Sequence, residues 1–193
     1  QQAFRGMTLL DYAINASLVL SYVAMRKDDK AGLVTFNEYF DTFVPASKQV
    51  GQMQTLLENL YKQETTFGET DFSALCGHLG KHVNKRSFLV LYTNFSNMTS
   101  LNRQLVYLQQ LARQHRLLVV FFEDSDLKEY IAGKSVTTED YYRHVIAEKF
   151  AFEKRLIVST LKQHGIYSLL TTPDKLSIDV INKYLEMKSR QLL

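Results

Sequence analysis

Two short apolar runs constrain this chain more than any other feature: Phe88-Leu89-Val90-Leu91-Tyr92 and Leu117-Leu118-Val119-Val120-Phe121-Phe122. Both read as strands, and the residues between them carry a helix from about Ser100 to Gln114. Further strands are expected at Ala31 to Phe36, a short apolar run typical of a strand covered on both sides, and at Ile166 to Leu170. Strands that alternate with long helices imply parallel pairing through right-handed crossovers. The expected fold class is therefore α/β, a doubly wound, mostly parallel sheet with helices on both faces.

The helices can be placed by their caps and stripes. Thr8 and Asp11 form a capping-box signature, so a helix should run from there to about Arg26, with Leu10, Ile14, Ser17, Leu20 and Ala24 along one stripe. Glu38 to Val44 suggests a short edge strand that stops at Pro45. Ser47 to Tyr61 has Val50, Met53, Leu57 and Leu60 at helical spacing, and Gln63 to Glu69 is a loop. Thr70 or Asp71 can cap a helix reaching about His82. Glu139 to His164 reads as a long helix with Tyr141, Val145, Phe152 and Leu156 inward, and Gly165 is well placed to end it. Asp174 to about Arg190 closes the chain, with Leu176, Val180, Tyr184 and Met187 on one face.

Composition limits the function classes. The 193 residues suit one domain, 1–193, and only two prolines and eight glycines are present, so no linker of that type divides it. Lys plus Arg is 23 against 20 for Asp plus Glu. An excess that small does not mark a nucleic-acid surface, and the basic groups at Lys81, Lys85 and Arg86 and at Arg113 and Arg116 fit solvated helix ends. Cys76 is the single cysteine, so no intrachain disulfide can form, which fits a reducing compartment. Leu9 to Met25 holds Asp11 and Asn15 and falls short of a roughly 20-residue span, so it reads as a buried helix of a soluble chain. With neither an initiator Met nor a basic-then-apolar leader, the sequence reads as an internal fragment.

A family resemblance rests on several segments together. Asp28-Asp29-Lys30-Ala31-Gly32-Leu33-Val34-Thr35-Phe36 resembles the second strand of a von Willebrand factor A-like domain. Gly68-Glu69-Thr70-Asp71-Phe72-Ser73-Ala74-Leu75 resembles that fold's threonine loop. Phe88 to Phe95 resembles its next strand and turn. Leu111-Ala112-Arg113-Gln114-His115-Arg116-Leu117-Leu118-Val119 is similar to bacterial proteins of the domain-of-unknown-function family number 58, whose genes commonly neighbour MoxR-type AAA+ ATPases. The resemblance covers essentially the whole chain. It implies a protein-interaction or adaptor domain that is not an enzyme and has no cofactor, with a MoxR-type ATPase as the expected partner. In that family the domain usually follows two membrane helices and faces the cytoplasm.

Two departures from the family pattern bear on metal binding. The Asp-x-Ser-x-Ser loop and the first, central strand should lie before Gln1 and are missing from this chain. Asn94 stands where the pattern has aspartate. A hard divalent ion prefers several oxygen ligands with carboxylate charge. Thr70 and Asn94 would bring only neutral oxygens, and the inherited metal site is expected to be degenerate. The absent strand should sit between the one at Leu33 to Phe36 and the one at Phe88 to Tyr92. These two must therefore pair directly, recruit another chain or take a strand from outside this sequence, and homo-oligomers or aggregates are expected from exposed edges.

Other chemistry is sparsely signalled. The chain has no G-x-G-x-x-G, no G-x-x-x-x-G-K-[ST] and no G-x-S-x-G. His78 and His82 are four apart and could share a helical face, but Cys76 points roughly to the opposite side, so the trio reads as packing. Glu123, Asp124 and Asp126 gather after a strand, where a hydrolase or phosphotransferase would place a carboxylate at Asp124 or Asp126. They lack a visible acid–base partner, and a turn needs such residues anyway, so ordinary loop chemistry is the better reading. In open α/β sheets ligands gather beyond the strand carboxyl ends. The expected binding rim is therefore Thr70, Asp71, Asn94, Phe95, Ser96, Asn97 and Asp126, with Phe95 its only large aromatic, a partner contact if exposed and a core residue if it turns inward.

Overall fold

The computed structural model describes residues 6–37, 40–63, 70–95, 97–123 and 138–193. They divide between two units, Gln1–Lys85 with Asp174–Leu193, and Arg86–Pro173.

In the first unit, helix α1 (Leu9–Arg26) starts at the predicted capping box. The Asp11 amide donates to Thr8 Oγ1 at 3.2 Å, and Asp11 Oδ2 accepts from the Thr8 amide at 2.7 Å. These two bonds satisfy amides that helix geometry leaves open. Helix α1 buries Ala13, Ile14 and Ala16 and leaves Val19 and Tyr22 exposed, so apolar neighbours cover only part of it. Strand β1 (Ala31–Phe36) then pairs with β2 (Phe40–Ser47) in an antiparallel hairpin, with Leu33 opposite Val44 and Thr35 opposite Thr42. The sequence expectation ended this second strand at Pro45, yet it continues to Ser47. The register shifts between Ala31 and Leu33, opposite the proline, and an irregular pair has no ladder bond for a proline to lose. Gly32 is required there: a Cβ would sit 2.7 Å from Ala46 N and Val44 O.

Helix α2 (Gln52–Leu60) begins after Gly51, whose φ of 92° suits glycine. It buries Leu56 and Leu60, whereas Val50 precedes the helix and is fully exposed and Leu57 faces out. Leu60 and Met53 face the core as the stripe predicts, whereas Val50 and Leu57 are corrected to exposed positions and Leu56 joins the buried face. Helix α3 (Phe72–His82) buries Phe72, Leu75, Cys76 and Leu79. Helix α6 (Leu176–Ser189), after a 3-10 turn at Pro173–Lys175, buries Leu176, Val180, Tyr184 and Met187, the face its spacing predicts, and packs on α1.

The second unit is a three-stranded parallel sheet in the order β3 (Phe88–Tyr92), β4 (Arg116–Phe122), β5 (Tyr167–Thr171). Val90 pairs with Leu118 and Val120 with Leu169. Residues Leu117 to Phe121 of the central strand are almost wholly buried, as expected for a run covered on both faces. Helix α4 (Met98–Gln114) contributes Leu101, Leu108 and Leu111 to this core, and α5 (Thr138–Gln163) contributes Ala147, Ile157 and Leu161. Gly165, at φ 71°, ends α5 as predicted, with the Ile166 amide returning to Leu161 O at 2.9 Å.

The inward face predicted for α5 is corrected. Tyr141, Val145, Phe152 and Leu156 all face solvent. The buried residues lie about a third of a turn or more away, because the sheet takes the Ala147, Ile157 and Leu161 side of the helix. Parallel pairing holds for β3, β4 and β5, whereas β1 and β2 run antiparallel. Among the described residues β1 pairs only with β2 and β3 only with β4, so each lies at the edge of its own sheet. No helix of the described residues is long and apolar enough to cross a membrane.

Candidate functional site

The best-formed polar arrangement lies where β3 ends and α4 begins. The Thr93 amide extends the sheet with a 3.0 Å bond to Val120 O. Asn94 follows, exposed, and Phe95 turns inward, at 4 % exposure. Asn97 then caps α4: its Oδ1 accepts from the Ser100 amide at 2.9 Å, and its own amide donates to Ser100 Oγ at 3.3 Å.

Two side chains from α5 reach this loop. The Lys154 ammonium donates to Asn94 Oδ1 and to the carbonyl of Phe95, each at 2.7 Å, and lies 5.5 Å from the centre of the Phe121 ring. Its neighbour Glu153 accepts from the Met98 amide at 3.0 Å. A fixed ammonium is therefore bonded to the Asn94 oxygen expected to face a metal. A divalent ion arriving there would have to displace it, because like charges repel strongly where solvent screens poorly. Glu153 places its carboxylate at the first turn of α4, where negative charge complements the helix dipole.

The first unit holds the other half of the predicted rim. Asp71 caps α3, its Oδ1 accepting from the Ala74 amide at 2.9 Å, so that carboxylate serves the helix start. The Asp71 amide donates to Asn37 O at 2.9 Å, which fastens the start of α3 to the end of β1. Thr70 is half-buried beside it. The structure thus groups Thr70 and Asp71 with Asn37 in one unit, and Asn94 and Asn97 with Lys154 and Glu153 in the other. Ser96, Asp124 and Asp126 lie outside the described residues. Phe95 is corrected from an exposed contact to a core residue: after β3 the chain must turn into α4, and its one large apolar side chain fills the space beneath.

The His78–His82 pair is an aromatic cluster. The two rings stack at 4.0 Å with 9° between their planes, and the Phe43 ring lies 5.1 and 5.5 Å from them. Burial, followed by the charges of His82 and Lys81, holds His78 below its ordinary pKa. Cys76 lies on the buried face of α3, where burial pushes its thiol up to about 11 and leaves the reactive thiolate scarce. Among the described residues, no three His, Cys, Asp or Glu side chains are grouped so as to hold a metal ion. His115 is buried at the start of β4, where its Nδ1 accepts from the Ser87 amide at 3.3 Å. Burial, then Arg86, lowers its pKa, which suits a neutral structural imidazole.

Sequence reasoning missed Lys154 and Glu153. They lie almost sixty residues from the loop they hold, and no local motif links them. One signal was present: Lys154 precedes Ile157 by three and Leu161 by seven, which puts its stem on the buried side of α5.

The fold and loop together describe a mixed α/β protein built on a parallel sheet, with a side-chain-braced loop at the carboxyl end of its edge strand. The family model described as "Protein of unknown function DUF58" matches residues 5–134, and the chain belongs to that family. No curated protein and no solved structure matches it.

Proposed function

We propose that this chain is a doubly wound, von Willebrand factor A-like domain that binds a protein partner, a MoxR-type AAA+ ATPase, without a metal ion. Membership of the family supports the class. The observation that carries the metal-free reading is the Lys154 ammonium on Asn94 Oδ1 and Phe95 O. A loop braced in this way offers a partner a preorganised polar rim, and preorganisation lowers the ordering cost of association. Asn94 and Asn97 are the exposed side chains of that rim, and Glu123 follows the neighbouring strand, its amide bonded to Thr171 O at 2.9 Å. The role is one of binding rather than turnover.

The test is a pull-down and titration of the intact protein against the neighbouring ATPase. The variant is Asn94→Ala with Asn97→Asp, since aspartate keeps the oxygen that caps α4. Affinity should fall about tenfold with the fold retained. Unchanged affinity in a folded double variant would remove this rim from consideration.

A further inference from the structure

Among the described residues, no element covers a second apolar stripe of helix α5, on the side away from Ala147, Ile157 and Leu161. Tyr142, Val145, Phe152 and Leu156 are 66 %, 46 %, 59 % and 39 % exposed. With Lys149, also exposed, they recur at alternating three- and four-residue steps over two heptads. That is the seam spacing of a helix that pairs with another helix. Isolated exposed apolar residues are ordinary, but a continuous stripe at coiled-coil period marks an interaction surface.

The charges beside the seam select the occupant. If two copies of α5 ran parallel, Glu148 of one would flank Glu153 of the other, a like-charge contact made twice. Run antiparallel with Val145 opposite Leu156, Lys149 falls opposite Phe152 and Glu148 falls beside Arg155, again twice by symmetry. A shift of one heptad from that register would put Glu148 against its own copy in one direction and Arg155 against its own copy in the other. One arrangement therefore matches apolar to apolar, ammonium to aromatic ring and carboxylate to guanidinium. Glu148 already takes His144 Nε2 at 3.4 Å within its helix, and its side chain is 60 % exposed, so the carboxylate can also meet an incoming guanidinium.

We infer that the exposed seam Tyr142–Leu156 of α5 is a self-association surface, on which a second copy of this chain docks through an antiparallel pair of α5 helices.

Sedimentation velocity on the 193-residue chain, from about 1 to 100 µM, tests this, since small non-obligate helical interfaces fall in the micromolar range. The wild type should move from monomer to dimer, and Phe152→Glu should weaken the dimer at least tenfold with an unchanged circular dichroism spectrum. Glu148→Arg should weaken it several-fold, and adding Arg155→Glu should restore it. A chain that stays monomeric to 100 µM, a dimer that survives Phe152→Glu, or a charge swap that fails to restore association would each overturn the proposal. Should a monomeric wild type bind vesicles of phosphatidylglycerol and lose that binding on Phe152→Glu, the seam faces a lipid surface and the proposal fails.

Discussion

Helices α5 and α6 carry apolar stripes of the same kind, yet the chain treats them in opposite ways. In α6, Leu176, Val180, Tyr184 and Met187 are all buried in the first unit. In α5, Tyr141, Val145, Phe152 and Leu156 face outward, while the sheet takes a narrower face of Ala147, Ile157 and Leu161. Periodicity reports which face of a helix is apolar. It does not report whether the surface that covers that face belongs to the same chain. Helix α6 finds its cover in α1, whereas among the described residues the second stripe of α5 stays exposed.

The strongest way to break this contrast is to truncate one leucine on each helix. Leu176→Ala should cost about 3 kcal/mol, because it empties the site of a wholly buried side chain. Leu156→Ala should cost about 0.5 kcal/mol, because water already reaches that side chain. Urea denaturation at a concentration low enough to keep the chain monomeric measures both. A loss above about 2 kcal/mol at Leu156 would show that the chain covers this stripe itself, and the contrast would end.

The braced loop sharpens the comparison from the other side of α5. Lys154→Met keeps most of the aliphatic stem and removes the ammonium from Asn94 Oδ1 and the Phe95 carbonyl. Hydrogen bonds to a charged group are the stronger kind, so the variant should lose about 2 kcal/mol in the same denaturation experiment. Phe95→Ala, just beneath, should cost about 3 kcal/mol through its cavity. Magnesium should leave the melting temperature of the wild type unchanged. A magnesium-dependent rise that disappears in Thr70→Ala would show that the cation site works despite Lys154.

Much of the architecture was legible because it is written locally. The Thr8–Asp11 box, the Gly165 stop and the β4 run are each signalled within a few residues, and each element formed where its signal lies. Asp71 was one of two residues that could cap α3, and its side chain took that duty. The errors arose where geometry depends on remote surfaces. The face of α2 depends on the Ala31 and Val44 cluster that it packs against, and the face of α5 on which side the sheet occupies. The site was less legible for the same reason. Asn94 and Asn97 could be named from their strand, whereas Lys154 and Glu153 reach them only through tertiary packing. Of the family match, 5–134 stops short of α5, so the brace comes from a part of the chain that the match does not include.

Acid should expose a last and smaller difference, because α6 is held by a titrating pair as well as by its stripe. Asp29, in the turn between α1 and β1, accepts from Lys188 Nζ at 2.6 Å and from the Tyr184 hydroxyl, and Lys188 also donates to Lys27 O at 3.0 Å. Burial works against the Asp29 carboxylate, but the bonds from Lys188 and Tyr184 outweigh it and hold its pKa below the ordinary value. Lys188 is shifted upward, chiefly by its bond to Asp29. A carboxylate with a depressed folded pKa stabilises the fold fully above its unfolded value, near 4 on the ordinary scale for aspartate. That contribution is lost as pH falls from there through the folded value. The Lys188 contribution is lost only in strong alkali, where a lysine raised by its partner finally deprotonates. Both side chains are more than a third exposed, so solvent screening keeps the pair to about 1 kcal/mol. Asp29→Asn should therefore lose about 1 kcal/mol at pH 7, and the difference from the wild type should shrink as pH falls below the ordinary aspartate value and the carboxylate protonates. Denaturant midpoints measured from pH 7 down to pH 2 should converge for the two proteins. Parallel curves would mean that the Asp29 contacts contribute through shape rather than charge, and α6 would then rest on its apolar stripe alone.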